Sequence, residues 1–175
     1  MKIKDKEFDL YLKEEDLLMR VKELANVIST DYADKKPLFI AILNGSFMFA
    51  ADLFKSITLD CQISFVKTAS YSNTQSSGSI KELIGLNENI FQKHVIVIED
   101  IIDSGVTIRS IINEFEARGV SSLEIVSLLA KPNAIKSNLE IKYVGFEIPN
   151  EFVVGYGLDY DGLGRNFKDI YQIKE

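Results

Sequence analysis

Apolar residues along the chain recur with two different periods, and the changes of period divide it into alternating elements. From Glu14 to Asp34, the residues Leu17, Leu18, Val21, Leu24, Ala25 and Ile28 return at three- and four-residue spacing, which predicts an amphipathic helix. Leu38–Leu43 is instead an unbroken apolar run of strand length that ends in Asn44-Gly45-Ser46. A second helix is predicted over Phe47–Lys55, with Phe47, Met48 and Phe49 packing it against a sheet. A strand follows over Gln62–Lys67, with Cys61 a small residue at its start. Val95–Ile98 is again apolar and β-branched, and His94 before it reads as a surface residue. After a short acidic stretch, Ile108, Ile111, Ile112 and Phe115 give a helix over Thr107–Arg118 its buried face, and Gly119 supplies a C′ stop. Further strands are predicted at Leu123–Leu129, Lys142–Ile148 and Phe152–Val154. Pro37, Pro132 and Pro149 stand at the edges of these runs as punctuation.

Continuous apolar strands alternating with amphipathic helices predict an α/β fold: a mostly parallel sheet with helices on both faces, built as one domain over residues 1–175. The early Lys2, Lys4 and Lys6 are balanced by nearby acids and read as a solvated arm. Ser70–Ser79 is nearly all small or polar and reads as an exposed loop, either a lid or an ordinary solvated loop. In open α/β sheets ligands sit beyond the carboxyl ends of strands, which here means after Leu43, after Ile98 and after Leu129.

Composition narrows the class without changing this architecture. Of 175 residues, 46% are hydrophobic and 26% charged, which is ordinary globular usage rather than disorder. No apolar run approaches the ~18 residues of a membrane span, so no membrane partner is expected. A single cysteine cannot staple the fold, and one Cys with one His makes a poor zinc site; a reducing cytoplasm is the expected compartment. The net charge of −6 and the pI near 4.9 disfavour a general nucleic-acid binder.

The most informative stretch is Val95–Ile108, VIVIEDIIDSGVTI. Four buried-strand residues lead into Glu99 and Asp100, whose side chains must point to opposite faces if the strand continues. Asp103 follows where the chain turns. Ser104, Gly105, Val106 and Thr107 open a helix with residues small enough for backbone N–H groups to converge on an anion. The chemistry on offer is a phosphate cradle beside carboxylates that can hold sugar hydroxyls or Mg²⁺. The plainer alternative is an ordinary helix capped by Asp or Ser.

Those fourteen residues resemble the phosphoribosyl pyrophosphate (PRPP) signature of type I phosphoribosyltransferases. Leu43-Asn44-Gly45-Ser46 is similar to that family's pyrophosphate loop, and the stretch containing Ser70 and Tyr71 to its mobile catalytic loop. SLLAKP from Ser127 and VGFEIPNEFVVGYGLDY over Val144–Tyr160 resemble the purine-site region of the hypoxanthine-guanine branch. The resemblance runs from Leu38 to Arg165. It implies the type I phosphoribosyltransferase fold with a small hood formed by the chain ends. The implied activity is Mg²⁺-dependent purine salvage, with PRPP, hypoxanthine and guanine as substrates and a homodimer or homotetramer as the assembly.

By position, the resemblance implies that Glu99 and Asp100 hold the ribose hydroxyls and Mg²⁺. Asp103 is the general acid/base beside the purine imidazole ring, and Asp103, Ser104, Gly105, Val106 and Thr107 hold the 5′-phosphate. Lys131 donates to the purine 6-oxo group, Phe152 stacks on the base and Val153 contacts it through the backbone. Asp159 gives a second contact to Mg²⁺ and the base site. Asn44, Gly45 and Arg165 meet the pyrophosphate. Two positions depart from the pattern: Asn44 stands where lysine is common, and Val106 where a polar or basic residue is. Two other classes share some features. A receiver-type signalling domain also has an acidic pocket and a Lys-Pro pair, here Lys131-Pro132, but its acids lie near the domain start. A fold of this type retained as an RNA-binding regulator is opposed by the acidic balance.

Overall fold

The computed structural model describes residues 1–68, 83–135 and 139–174. In chain order the elements are β1 (Lys2–Ile3), β2 (Lys6–Leu12), α1 (Glu14–Asp31), β3 (Leu38–Leu43), α2 (Phe47–Ser56), β4 (Gln62–Thr68), β5 (Leu83–Ile84) and β6 (His94–Ile102). They continue with α3 (Val106–Ala117), β7 (Ser122–Ala130), β8 (Tyr143–Glu147), β9 (Val153–Val154) and β10 (Ile170–Ile173). The main sheet has the order β5-β4-β3-β6-β7-β8. Its strands from β4 to β8 are parallel, and β5 alone pairs antiparallel, on β4.

The unbroken apolar runs follow from burial on both faces. Successive strand residues point to opposite sides. Phe39, Ala41, Ile96 and Ile98 therefore pack on one side with Leu17, Val21 and Ile28 of α1 and Phe49 and Leu53 of α2. Leu38, Ile40, Val95 and Val97 pack on the other side with Ile108, Ile111 and Phe115 of α3. The chain ends form a second, antiparallel sheet of order β1-β2-β10-β9, the expected hood, centred on the buried Ile3, Phe8 and Val154. Hood and main body are joined at a helix end. No side chain caps α1 at Lys13, but Asp169 accepts a hydrogen bond from the Glu14 N–H at 2.8 Å. That bond satisfies one orphan donor of the first turn. No helix among the described residues is long and apolar enough to cross a membrane.

Several expectations need correction. α1 ends at Asp31, and Tyr32 turns into the core instead of continuing the helix. Lys2, Lys4 and Lys6 are exposed, as expected, but they form no free arm: Lys2 and Lys6 stand in β1 and β2, and Lys4 forms an ion pair with Asp161. His94 is a half-buried first residue of β6, with Nδ1 2.7 Å from Ser122 Oγ and its ring edge-on to Tyr32. Phe49 packs on the sheet as expected, whereas Phe47 is 43% exposed. β6 does not stop at Ile98. It runs through both acids to Ile102, because its backbone stays paired with β7 as far as Ile102↔Ala130.

Candidate active site

The sheet order puts β3, β6 and β7 side by side, so the three predicted strand ends open onto one edge. Glu99 and Asp100 lie in the last turn of pleats of β6, both half-buried. Beyond Ile102 the chain bends, and Gly105 adopts φ 76° as it enters α3. Glycine suits this left-handed conformation. No side chain caps α3, which removes the plain capped-helix alternative and leaves its first N–H groups directed at the loop. Glu99, Asp103, Ser104, Gly105 and Thr107 line a cleft of about 110 Å³ floored by Ile101, Ile102 and Ile108. Larger depressions exist elsewhere, of about 490 and 540 Å³, but they are lined by a mixture of surface residues such as Lys36, Asp60, Glu116 and Glu140. Among the described residues, the small cleft combines an amide cradle with converging acids.

The ladder brings Lys131 beside Asp103 at the edge of this cleft. The Lys131 N–H donates to the Ile102 carbonyl at 2.9 Å, extending the β6–β7 pairing by one residue. Its side chain is buried, and Nζ donates to Asp103 Oδ2 at 2.9 Å. Asp103 itself is 56% exposed at the side chain, so the pair has a buried cation and an accessible carboxylate.

The turn after β3 closes the other side. Asn44 is exposed and Gly45 buried, and the Leu43–Asn44 peptide bond is cis. A Cβ on Gly45 would stand 1.5 Å from Asp100 Oδ2, so only glycine lets the turn lie on that carboxylate. Burial pushes the Asp100 carboxyl up to about 6; its hydrogen bond from the Ile101 N–H and the Arg165 charge act in the opposite direction. Arg165 Nη2 pairs with Asp159 Oδ1 at 2.5 Å, and Nη1 donates to the Gly157 carbonyl at 2.7 Å. Asp159 Oδ2 also accepts from the Gly162 N–H.

Phe152 stands just before β9 and is 43% exposed. Tyr160 meets it edge-on at 5.8 Å and Phe8 lies 6.4 Å away, so the ring is braced while part of it remains open. Val153 is buried and held in register with Gln172. Sequence reading missed the two bracing rings and Gly157. Their signal is weak, since each acquires its position from a segment far away in the chain. Val106 is 67% exposed at the start of α3. Ser70 and Tyr71, with the rest of Ser70–Ser79, lie outside the described residues.

Among the described residues, no three carboxylate, His or Cys side chains come close enough to hold a metal by themselves, so Glu99, Asp100 and Asp159 do not form a self-sufficient cage. Mg²⁺ commonly binds through one or two carboxylates and completes its shell with water and substrate phosphate. Hard carboxylate oxygens beside an anion cradle fit that mode.

Comparison with known proteins gives a consistent result. The family model described as the phosphoribosyl transferase domain matches residues 8–161. The hypoxanthine-guanine phosphoribosyltransferase of Staphylococcus epidermidis is 45% identical over 167 residues, covering 95% of this chain and 93% of that protein. The Staphylococcus aureus protein of the same name is 44% identical with the same coverage. Among solved structures, a hypoxanthine-guanine phosphoribosyltransferase from Bacillus anthracis superposes with a TM-score of 0.89 at 40% identity, over 97% of this chain and 99% of the other. A Trypanosoma cruzi hypoxanthine phosphoribosyltransferase does so with a TM-score of 0.89 at 31% identity, over 99% and 95%.

Proposed function

The chain belongs to the phosphoribosyl transferase domain family and is a phosphoribosyltransferase, and we propose that it transfers the 5-phosphoribosyl group of PRPP to hypoxanthine or guanine. The observation that carries this reading is the Asp103–Lys131 pair beside the amide cradle. A 6-oxopurine presents N7 and O6 side by side on one edge. Lys131 has only donors and serves O6, while the accessible Asp103 carboxylate serves N7.

The 5′-phosphate sits on the N–H groups at the start of α3, aided by the Ser104 and Thr107 hydroxyls. Val106 contributes its N–H there, so its apolar side chain does not weaken the cradle. Glu99 and Asp100 hold the ribose hydroxyls. Asn44 and Gly45 bind pyrophosphate through backbone amides, so the side chain at position 44 matters little, and Arg165 supplies positive charge from the opposite loop. Phe152 stacks on the base and the backbone at Val153 flanks it. The purine N9 forms its bond to C1′ as the C1′–O bond to pyrophosphate breaks, and the N7 proton passes to Asp103. Positive character develops at the sugar during such transfers, and the carboxylates beside it stabilise that charge. Glu99, Asp100 and Asp159 would hold Mg²⁺ together with substrate oxygens; when bound, the ion neutralises charge on the departing pyrophosphate.

The test is direct. Protein, PRPP, hypoxanthine and Mg²⁺ should yield inosine monophosphate and pyrophosphate in equal amounts. Hydrolysis of PRPP without nucleotide formation would reject the proposal. The homodimer or homotetramer implied by the resemblance is tested by light scattering on the same sample.

A further inference from the structure

Two loops face each other across the proposed pyrophosphate site, Asn44–Ser46 and the segment from Gly155 to Arg165. Within the second loop Gly155 pairs with Leu158, Tyr160 with Leu163, and Gly157 exchanges hydrogen bonds with Arg165, while Lys4–Asp161 and the Tyr160 hydroxyl on Asp5 tie the loop to the hood. None of these fixes how far that loop stands from the first. Tyr156 does. Its side chain is 1% exposed and sits in the same core cluster as Phe49, Ala50 and Leu53 of α2. Its hydroxyl donates to Asp52 Oδ2 on α2 at 2.5 Å. Burial and the neighbouring Asp52 carboxylate both push the Tyr156 phenol up, so the hydroxyl stays a donor throughout the neutral range.

α2 is the helix that grows directly out of the Asn44–Ser46 turn. Ser46 is its N-cap, and Ser46 Oγ donates to the Ile42 carbonyl at 2.6 Å, which locks the turn to the end of β3. The next residue after Tyr156 completes the link. A Cβ on Gly157, at φ 101°, would lie 2.1 Å from the Gly45 carbonyl oxygen, so the two backbones touch. Gly45 in turn lies on Asp100.

We propose that Tyr156 and Asp52 form a positioning pair that sets the spacing between the Gly45 turn and the loop bearing Asp159 and Arg165, and so governs affinity for the pyrophosphate part of PRPP. Neither residue touches substrate; the pair acts through Gly157, whose carbonyl also orients the Arg165 guanidinium. This rests on the phosphoribosyltransferase reading of the site. The hydrogen bond to a carboxylate is the element at risk, and losing one of that kind corresponds to about tenfold in an equilibrium constant.

A matched tyrosine provides the control. Tyr143 is also buried in the same core and donates to an aspartate, Asp31, at 2.7 Å, but it stands at the start of β8, at the opposite end of the sheet from the strand tips. In steady-state kinetics, Tyr156→Phe and Asp52→Ala should each raise KM for PRPP about tenfold, with kcat at saturation changed less than threefold. The double variant should be no worse than Asp52→Ala alone, because both remove the same tyrosine bond; Asp52→Ala also loses the pair with Lys55 on the exposed side of α2. Asp52→Asn, which keeps an acceptor, should recover most of the wild-type KM, and Tyr143→Phe should leave KM unchanged. Hydrogen exchange at the Gly157 and Leu158 amides should accelerate in Tyr156→Phe and Asp52→Ala but not in Tyr143→Phe. An unchanged KM in Tyr156→Phe and Asp52→Ala, or an equal rise in Tyr143→Phe, overturns the proposal. If the wild-type protein forms no nucleotide, the functional reading fails, and the exchange comparison still decides whether this pair positions the loop.

Discussion

Gly45→Ala places one methyl group against Asp100, and the structure allows its cost to be worked out. The new Cβ would lie 1.5 Å from Oδ2 and 2.4 Å from Cγ, well inside any tolerated contact. Gly45 is not one of the residues with positive φ, so the backbone itself accepts alanine and the effect is steric. Asp100 must swing away. That breaks its hydrogen bond from the Ile101 N–H, 2.9 Å long, and forces an unfavourable rotamer whenever a bound ligand draws the carboxylate back. The two losses come to ~1.5–2.5 kcal/mol, or ~10- to 70-fold in affinity. The free protein relaxes by leaving Asp100 displaced, so the penalty falls on PRPP binding more than on folding. The assay is KM for PRPP at saturating hypoxanthine, with a thermal melt alongside. A KM within twofold of wild type would refute the placement of Asp100 in the PRPP site.

Other consequences follow from the same geometry. Asp103→Asn keeps an oxygen for Lys131 but loses the base, so kcat should fall ~10²-fold or more while PRPP binding stays within a few-fold; equal losses of both would make Asp103 a binding residue only. Glu99→Gln combined with Asp100→Asn should weaken PRPP binding in calorimetry with Mg²⁺ present and change it little without Mg²⁺; unchanged binding in both conditions counts against the ribose and metal assignment. Hydrogen bonds from Tyr143 and Lys142 lower the Asp31 carboxyl. A depressed carboxylate contributes stability above its unfolded value and loses it as pH falls through the folded one. Tyr143→Phe should therefore cost ~1 kcal/mol in urea unfolding at pH 7, with the difference from wild type shrinking on acidification below the usual carboxylate range. A difference constant with pH would contradict that coupling.

The parts of the fold legible from sequence are those whose pattern is set by two-sided burial or helical period. Leu38–Leu43 has both its bounds right because Leu38 to Ile42 are enclosed between α1–α2 and α3 and Leu43 is half-buried, leaving no polar interruption. The sequence pattern cuts β6 short at Ile98 because acids read as an end, whereas backbone pairing to β7 is indifferent to side-chain charge. β2 escapes sequence reading since only Phe8 is buried while its neighbours Glu7 and Asp9 are exposed, and its partner β10 lies more than 150 residues away. The phosphate cradle is readable because its chemistry is contiguous, Asp103 to Thr107. The Asp103–Lys131 contact is not, although parallel pairing of β6 with β7 makes the two strand ends neighbours. Tyr156–Asp52 joins residues 104 apart through the core, and no local pattern announces it.

In the proposed reaction the buried Lys131 ammonium and the accessible Asp103 carboxylate together read the N7–O6 edge of a 6-oxopurine. An amino group at position 6, as in adenine, meets a cation that can only donate, and a site built around a hydrogen bond rejects an analogue that cannot make it by up to ~10⁴-fold or more. The decisive measurement is kcat/KM for hypoxanthine, guanine and adenine with PRPP and Mg²⁺, in wild type and in Lys131→Met. Adenine should be at least ~10²-fold poorer than hypoxanthine in wild type, a lower bound that allows water to bridge part of the mismatch. The gap should narrow in Lys131→Met through loss of the 6-oxo substrates. Adenine used as readily as hypoxanthine by the wild-type protein, or a gap unchanged by Lys131→Met, would contradict the assignment.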